Sequence, residues 1–101
     1  MRFKVSKEAR DDIREIGRYT QRKWGKDQRR NYLNDLDKKF GLLAENPLLG
    51  RRCDSIREGY FRFEFVSHVI FYRQEKDFIV ISRVIHQSRD VKALLGETGK
   101  A

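Results

Sequence analysis

Apolar and polar residues alternate with a period of two along Tyr60 to Val66, placing Phe61, Phe63 and Phe65 on one face and Tyr60, Arg62, Glu64 and Val66 on the other. Two more runs rich in Val, Ile, Phe and Tyr follow at once, Val69 to Gln74 and Phe78 to Ile85, linked through Val66-Ser67-His68 and Glu75-Lys76-Asp77. Links this short leave room for hairpins only, so the three runs predict an antiparallel meander. The last two runs are apolar on both faces: Ile70 and Tyr72 against Val69 and Phe71, then Ile79, Ile81 and Ile85 against Phe78, Val80 and Val84. A half-exposed sheet does not carry that pattern. Either a second layer of this chain or a partner must lie on the other face.

Upstream, Arg2-Phe3-Lys4-Val5 alternates and is short, which suits an edge strand. Ser6 reads as a helix N-cap, with Glu8 in the first turn, where a carboxylate suits the positive end of the helix dipole. Ala9, Ile13, Ile16 and Thr20 then form a narrow apolar stripe at helical spacing, while Arg10, Asp11, Arg14, Glu15, Arg18 and Arg22 face away. Trp24-Gly25 closes this helix, and Asp27 is expected to cap a second one carrying Leu33, Leu36, Phe40 and Leu43, with Tyr32 at the border of the stripe. So short a link makes the two helices an antiparallel hairpin. Asn46-Pro47 ends the second helix, because the residue before proline avoids helical angles.

Leu48 to Glu58 has no periodicity and reads as an ordered connector. After the meander, Asp90 is expected to cap a brief helix through Val91, Ala93, Leu94 and Leu95, with Gly96 to Ala101 frayed. With no repeat and no linker, residues 1–101 form one α+β domain: a short N-terminal strand and a helical hairpin packed on one face of an antiparallel sheet. The other apolar face, with Arg62, Arg73 and Arg83 interspersed, is left for something else.

Charge changes this picture by suggesting what that something is. Twenty-three Lys and Arg against fifteen Asp and Glu give a net +8, spread over both halves, which favours polyanionic partners. Cys53 is the sole cysteine, so the chain forms no internal disulfide and no cysteine-based metal site, as expected in a reducing compartment. Charged residues follow Val5 at once and no apolar run approaches membrane-spanning length, so the expected location is the cytoplasm, with no membrane partner.

The chain carries no P-loop, Rossmann glycine fingerprint, HExxH or nucleophile elbow, and its two histidines are too few for a histidine-rich metal site. No cofactor or metal is expected. One constellation falls on or at the ends of the meander strands: Arg57, Arg62, Arg73, Arg83, His86 and Arg89. A metal-independent ribonuclease needs such a set, a histidine to move a proton and cations to hold the phosphate. The plainer reading pairs these arginines with Glu64, Asp54 or Asp90, lets His86 satisfy a strand end, and takes His68 as a turn residue. Interleaved rings and arginines between Tyr60 and Tyr72 permit base stacking, but Phe61, Phe63 and Phe65 occupy the core face. Direct nucleic-acid binding is thus not the main use of those rings. Trp24 either anchors a partner or closes the core.

Several stretches taken together resemble the ParE family of toxins, within the RelE/ParE superfamily of toxin-antitoxin systems. They are Tyr19-Thr20 with Trp24-Gly25, Asn46-Pro47-Leu48-Leu49-Gly50-Arg51, Ile56-Arg57-Glu58-Gly59, His68-Val69-Ile70-Phe71-Tyr72-Arg73, and Arg83-Val84-Ile85-His86 with Asp90. The resemblance runs from Phe3 to about Leu95. It implies a type II toxin that inhibits DNA gyrase by binding, without catalysis of its own, and that an acidic cognate antitoxin neutralises. Oligomers would form through that complex. The residues it offers to a partner are Arg57, Arg62, Arg73, Arg83, His86, Arg89 and Trp24. RelE-type relatives instead cut mRNA on the ribosome, which here would fall to His86 with Arg62, Arg73 and Arg83. A third reading is a non-toxic binding module on the same fold. The first hairpin departs from the ParE pattern: Glu58 stands where proline is common, Phe61 where arginine is common, and Val66-Ser67 lacks the usual turn glycine.

Overall fold

In the computed structural model, which describes residues 2–89, the meander is the middle of a five-stranded sheet. The elements run β1 (Arg2–Val5), α1 (Lys7–Trp24), α2 (Lys26–Glu45), β2 (Arg51–Arg52), β3 (Tyr60–Phe65), β4 (His68–Gln74) and β5 (Phe78–His86). Their order across the sheet is β1-β5-β4-β3-β2. The helix expected from Asp90 onward lies outside the described residues.

The hairpins register as the alternation requires, Tyr60 opposite Arg73 through to Phe65 opposite His68, and His68 opposite His86. Two features correct the sequence reading. The sheet is mixed rather than antiparallel, because β1 pairs with β5 in parallel, Arg2 with Phe78 to Val5 with Ile81. An alternating edge strand satisfies its pattern in either direction, and no hairpin links these two. The second is a bulge. Phe71 faces Arg83 but Tyr72 faces Ile81, so Ser82 is an extra residue in β5. One extra residue flips every side chain beyond it. Ile79, Ile81 and Val84 therefore join one cluster and Ile85 the other, where uninterrupted alternation put Ile85 with Ile79 and Ile81.

The main core lies between the helical hairpin and one sheet face. Ala9 and Ile16 of α1, with Leu36, Phe40, Leu43 and Ala44 of α2, meet Phe61, Phe65, Ile70, Tyr72, Ile79, Ile81 and Val84. Phe3 packs edge-to-face on Phe40 at 5.6 Å between ring centroids. Ser6 caps α1 as its position suggests, its Oγ accepting from the Ala9 N–H at 3.0 Å. Asp27 is not the cap of α2. Gly25, at φ 96°, both ends α1, donating its N–H to Gln21 O, and begins α2, so Asp27 falls inside the first turn. The link is one residue long, and a positive φ there suits glycine.

The second face is not bare, as the sequence reading left it. Tyr60, Val69, Phe71 and Ile85 are buried together with Cys53, and Ile56 packs against them. The connector supplies both covering residues because β2 pins it to β3, Arg51 opposite Arg62. A run of 11 residues with no visible periodicity thus contributes a short strand and a lid.

The β3–β4 turn stores strain. Val66 sits at φ 55° and is 75% exposed, in a region that a β-branched residue enters at a cost of about 1–2 kcal/mol. Val66→Gly should stabilise the protein by about 0.5–1 kcal/mol, the relief being partly offset by a looser unfolded chain. A urea midpoint that rises with an unchanged slope is the expected result; a fall would mean that the exposed valine side chain contributes more than its backbone costs.

Candidate functional site

Beyond Val5 the outer edge of β5 has no strand beside it, and α1 takes over. Ser6 N–H donates to Ile81 O at 3.0 Å, Ser6 Oγ donates to Ser82 O at 2.9 Å, and Asp12 Oδ2 accepts from the Val84 N–H at 2.9 Å. The Asp12 carboxylate also holds Arg83 by two bonds, from Nε at 2.8 Å and Nη2 at 3.1 Å. This fork-on-fork pair pushes the Arg83 guanidinium still higher than its usual range, since the hydrogen bonds to Asp12 outweigh burial. Arg83 is thereby committed to holding α1 on the sheet.

Around this pair the expected constellation splits. One cleft of about 490 Å³ is lined by Tyr19, Arg22, His68, Arg83, His86 and Arg89 among others. A second, of about 370 Å³, is lined by Ser6, Glu8, Arg57, Tyr60, Arg73, Ser82 and Arg83, with Glu58. Arg83 borders both. Arg57 lies over the Tyr60 ring at 5.2 Å and donates to its hydroxyl at 3.3 Å. Arg73 donates to Glu75 at 3.2 Å. Arg62 lines neither cleft; it lies over the Phe71 ring at 5.6 Å, and its buried Nε has no hydrogen-bond partner. Trp24, 64% exposed at the hairpin bend, lines neither cleft. The structure therefore brings His86, Arg83 and Arg89 together, and Arg57, Arg73 and Arg83 together, but not the full set.

Of the carboxylates proposed to quiet these arginines, Glu64 binds Arg51 and lies 3.9 Å from Arg62, while Asp54 takes Arg52 at 3.0 Å and the Gly59 N–H at 2.8 Å. That backbone bond first, and Arg52 after it, hold Asp54 below the usual carboxylate range.

His68 is more than a turn residue. It pairs across the ladder with His86, ring centroids 5.3 Å apart, and its Nδ1 shares a hydrogen bond with Tyr32 Oη at 2.6 Å. Burial pushes the Tyr32 hydroxyl up, so it stays protonated. Burial first, then the neighbouring His86, hold the His68 imidazole at about 4 against an ordinary 6.5. It is neutral at pH 7. His86 Nδ1 accepts from the Ser88 N–H at 3.1 Å and contacts Ser88 Oγ at 2.7 Å, so its proton in the neutral form is on Nε2. The hairpin register alone marks this histidine pair, since residues 68 and 86 are equidistant from the β4–β5 turn once one bulge residue is allowed. Asp12, Tyr19 and Arg22 carry no such mark in the sequence.

A pH dependence follows. Between pH 6.5 and about 4 the unfolded chain binds a proton at His68 that the folded state refuses, so this contribution to stability is whole above pH 6.5 and drains away as pH falls toward 4. His68→Gln keeps a neutral hydrogen-bonding partner for Tyr32. Its urea midpoint should fall less than that of the wild type between about pH 7 and about pH 4.5; parallel falls would assign the whole effect to carboxylates.

Among the described residues no group of three or more His, Cys, Asp and Glu is placed to hold a metal ion, and no helix is long and apolar enough to cross a membrane.

Comparison with known proteins bears on the same residues. Residues 3–91 match the family described as "ParE toxin of type II toxin-antitoxin system, parDE". The chain is 35% identical over 94 residues to Toxin ParE1 of Caulobacter vibrioides, covering 93% of this chain and 97% of that one. It is 38% identical over 91 residues to Toxin ParE1 of Mycobacterium tuberculosis, covering 89% and 93%. The fold is also that of a chain in the chromosomal ParDE toxin-antitoxin system from P. aeruginosa, with a TM-score of 0.73 at 19% identity over 85% of this chain and 95% of the other. By a match that takes in both helices and the whole sheet beyond Arg2, the chain belongs to the ParE toxin family of type II toxin-antitoxin systems.

Proposed function

We propose that this ParE toxin inhibits DNA gyrase by binding it, in the cytoplasm, and is neutralised by an acidic cognate antitoxin. Family membership across residues 3–91 carries this reading. Two features of the molecule support it. Its net charge of +8 suits an acidic partner, and Leu42, Leu48 and Leu49 are exposed apolar residues around the end of α2, where an amphipathic segment that orders on binding finds apolar contact.

The competing ribonuclease reading rests on His86, whose Nε2–H is free of the Ser88 contacts, with Arg89 in the same cleft. Holding the phosphate and its developing charge would also draw on Arg62, Arg73 and Arg83. The first lines no part of that cleft, the second lines the other, and the third is held by Asp12.

Purified gyrase decides between them. Added to a supercoiling reaction, the protein should abolish supercoiling and trap cleaved DNA, and antitoxin should reverse both while raising the protein's Tm by mass action. His86→Ala should change gyrase inhibition only mildly. No inhibition by folded protein in excess, together with mRNA cleavage on ribosomes that His86→Ala reduces by about a hundredfold or more, would replace this reading with the ribonuclease. Neither activity, with antitoxin still bound, would leave a non-toxic binding module.

A further inference from the structure

Much of the positive charge falls in one stretch of the chain. Residues 16–30 hold Arg18, Arg22, Lys23, Lys26, Arg29 and Arg30 against Asp27 alone, a local net of +5 out of the total +8. They are the last turns of α1, Gly25 and the first turn of α2, which the hairpin gathers at one end of the molecule. Two of the six are answered locally, Arg18 by Glu15 at 2.6 Å and Arg30 by Asp27 at 2.9 Å. Arg29 is fixed by neutral Gln21 at 2.6 Å and keeps its charge uncompensated. Arg22, Lys23 and Lys26 form no ion pair with a described residue. These four cations, unpaired among the described residues, lie within eight positions of one another around the hairpin bend and repel one another.

Two aromatic rings border the cluster. Tyr19 is 51% and Trp24 64% exposed, and Lys23 Nζ stands 5.6 Å and 5.8 Å from their centroids. An acidic amphipathic peptide would need an apolar groove beside the charges. The depression at this end, about 440 Å³, is lined by Gln21, Lys26, Arg29, Arg30, Leu33 and Asn34, of which Leu33 alone is apolar. A partner whose charge lies along a continuous backbone fits better, and long cationic side chains around a largely polar depression suit phosphate contacts without base reading.

We infer that the tip of the helical hairpin is a contact surface for the backbone of duplex DNA, with Arg22, Lys23, Lys26 and Arg29 against phosphates and Trp24 at its border. This extends the gyrase reading, in which the target itself holds DNA. The test contains no gyrase, so either idea can fail while the other stands.

Full-length protein is titrated into a short fluorescein-labelled duplex at rising KCl, following anisotropy and the emission of Trp24, the sole tryptophan. Binding at low salt should weaken with a slope of log K on log salt of about −3 to −4, the value for four phosphate contacts. Trp24 emission should change in step. The triple variant Arg22→Gln, Lys23→Gln, Lys26→Gln should bind roughly tenfold or more weakly, with its slope falling to about −1. A charge-matched variant at the other end of α1, Lys7→Gln, Arg10→Gln, Arg14→Gln, should stay within about twofold of wild type. Equal losses in the two variants would reduce the effect to net charge and overturn the inference. So would a silent Trp24, absence of binding at low salt, or polyglutamate binding as tightly as the duplex, which would hand the tip to an acidic protein.

Discussion

Asp12→Ala is expected to cost about 2–4 kcal/mol, a large share of the stability of a domain this small. One carboxylate accepts from three donors: the Nε and Nη2 of Arg83 and the Val84 N–H. Both side chains are largely buried, Arg83 21% and Asp12 15% exposed. Removing the acid leaves a guanidinium short of water and of counter-charge, and leaves a β5 amide unpaired where β1 has already ended. The two penalties separate in a double variant. Asp12→Ala with Arg83→Met should recover most of the guanidinium penalty, because deleting both members of a pair costs far less than stranding one, but not the amide penalty. Chemical denaturation of the four proteins checks this. Equal stabilities of Asp12→Ala and wild type would mean that α1 does not depend on this edge.

Gly50→Ala should cost roughly 3 kcal/mol or more, from a single added methyl group. A Cβ at Gly50 would lie 2.5 Å from Tyr72 Oη and 2.8 Å from the backbone oxygen of Arg62. Tyr72 is fully buried, and its hydroxyl donates to Pro47 O at 2.8 Å while accepting from the Gly50 N–H at 2.9 Å. Neither neighbour can withdraw: the ring is locked against Phe61, 5.4 Å away in a stacked pair, and the Arg62 carbonyl belongs to β3. Tyr72→Phe alone should cost about 1–3 kcal/mol by stranding two backbone groups. In the double variant the clash with the hydroxyl disappears but that with Arg62 O persists. The combined loss should therefore be smaller than the sum of the single losses. Strict additivity in urea midpoints would show that the methyl and the hydroxyl do not meet.

Local periodicity disclosed most of this fold. The stripe of Ala9, Ile16 and Thr20, the stripe of Leu36, Phe40 and Leu43, the Ser6 cap and the two hairpins all depend on residues a few positions apart, and all appear as expected. What stayed hidden needs contacts across the whole chain. The parallel pairing of β1 with β5 and the Asp12–Arg83 pair join residues more than 70 positions apart, and neither changes any local pattern. The Ser82 bulge hid for a different reason: β5 is apolar on both sides, so a one-residue slip leaves an equally plausible sequence. The candidate site was legible as a set of residue types and not as a place. Arg62, Arg73 and Arg83 do share the second face, yet the Phe71 ring, Glu75 and Asp12 draw them to three separate tasks.

The parallel pairing of the first strand with the fifth also sets when the molecule can come into being. β5 lies between β1 and β4, so without it the N-terminal strand has no neighbour and α1 has no edge to cap. A chain growing on the ribosome can form the helical hairpin early, since those contacts are local, but must wait for Phe78 to His86 to emerge before the sheet closes. Until β5 has emerged the polypeptide is thus an incomplete sheet with helices attached, and the surface that Arg83 and His86 help to form does not exist before it.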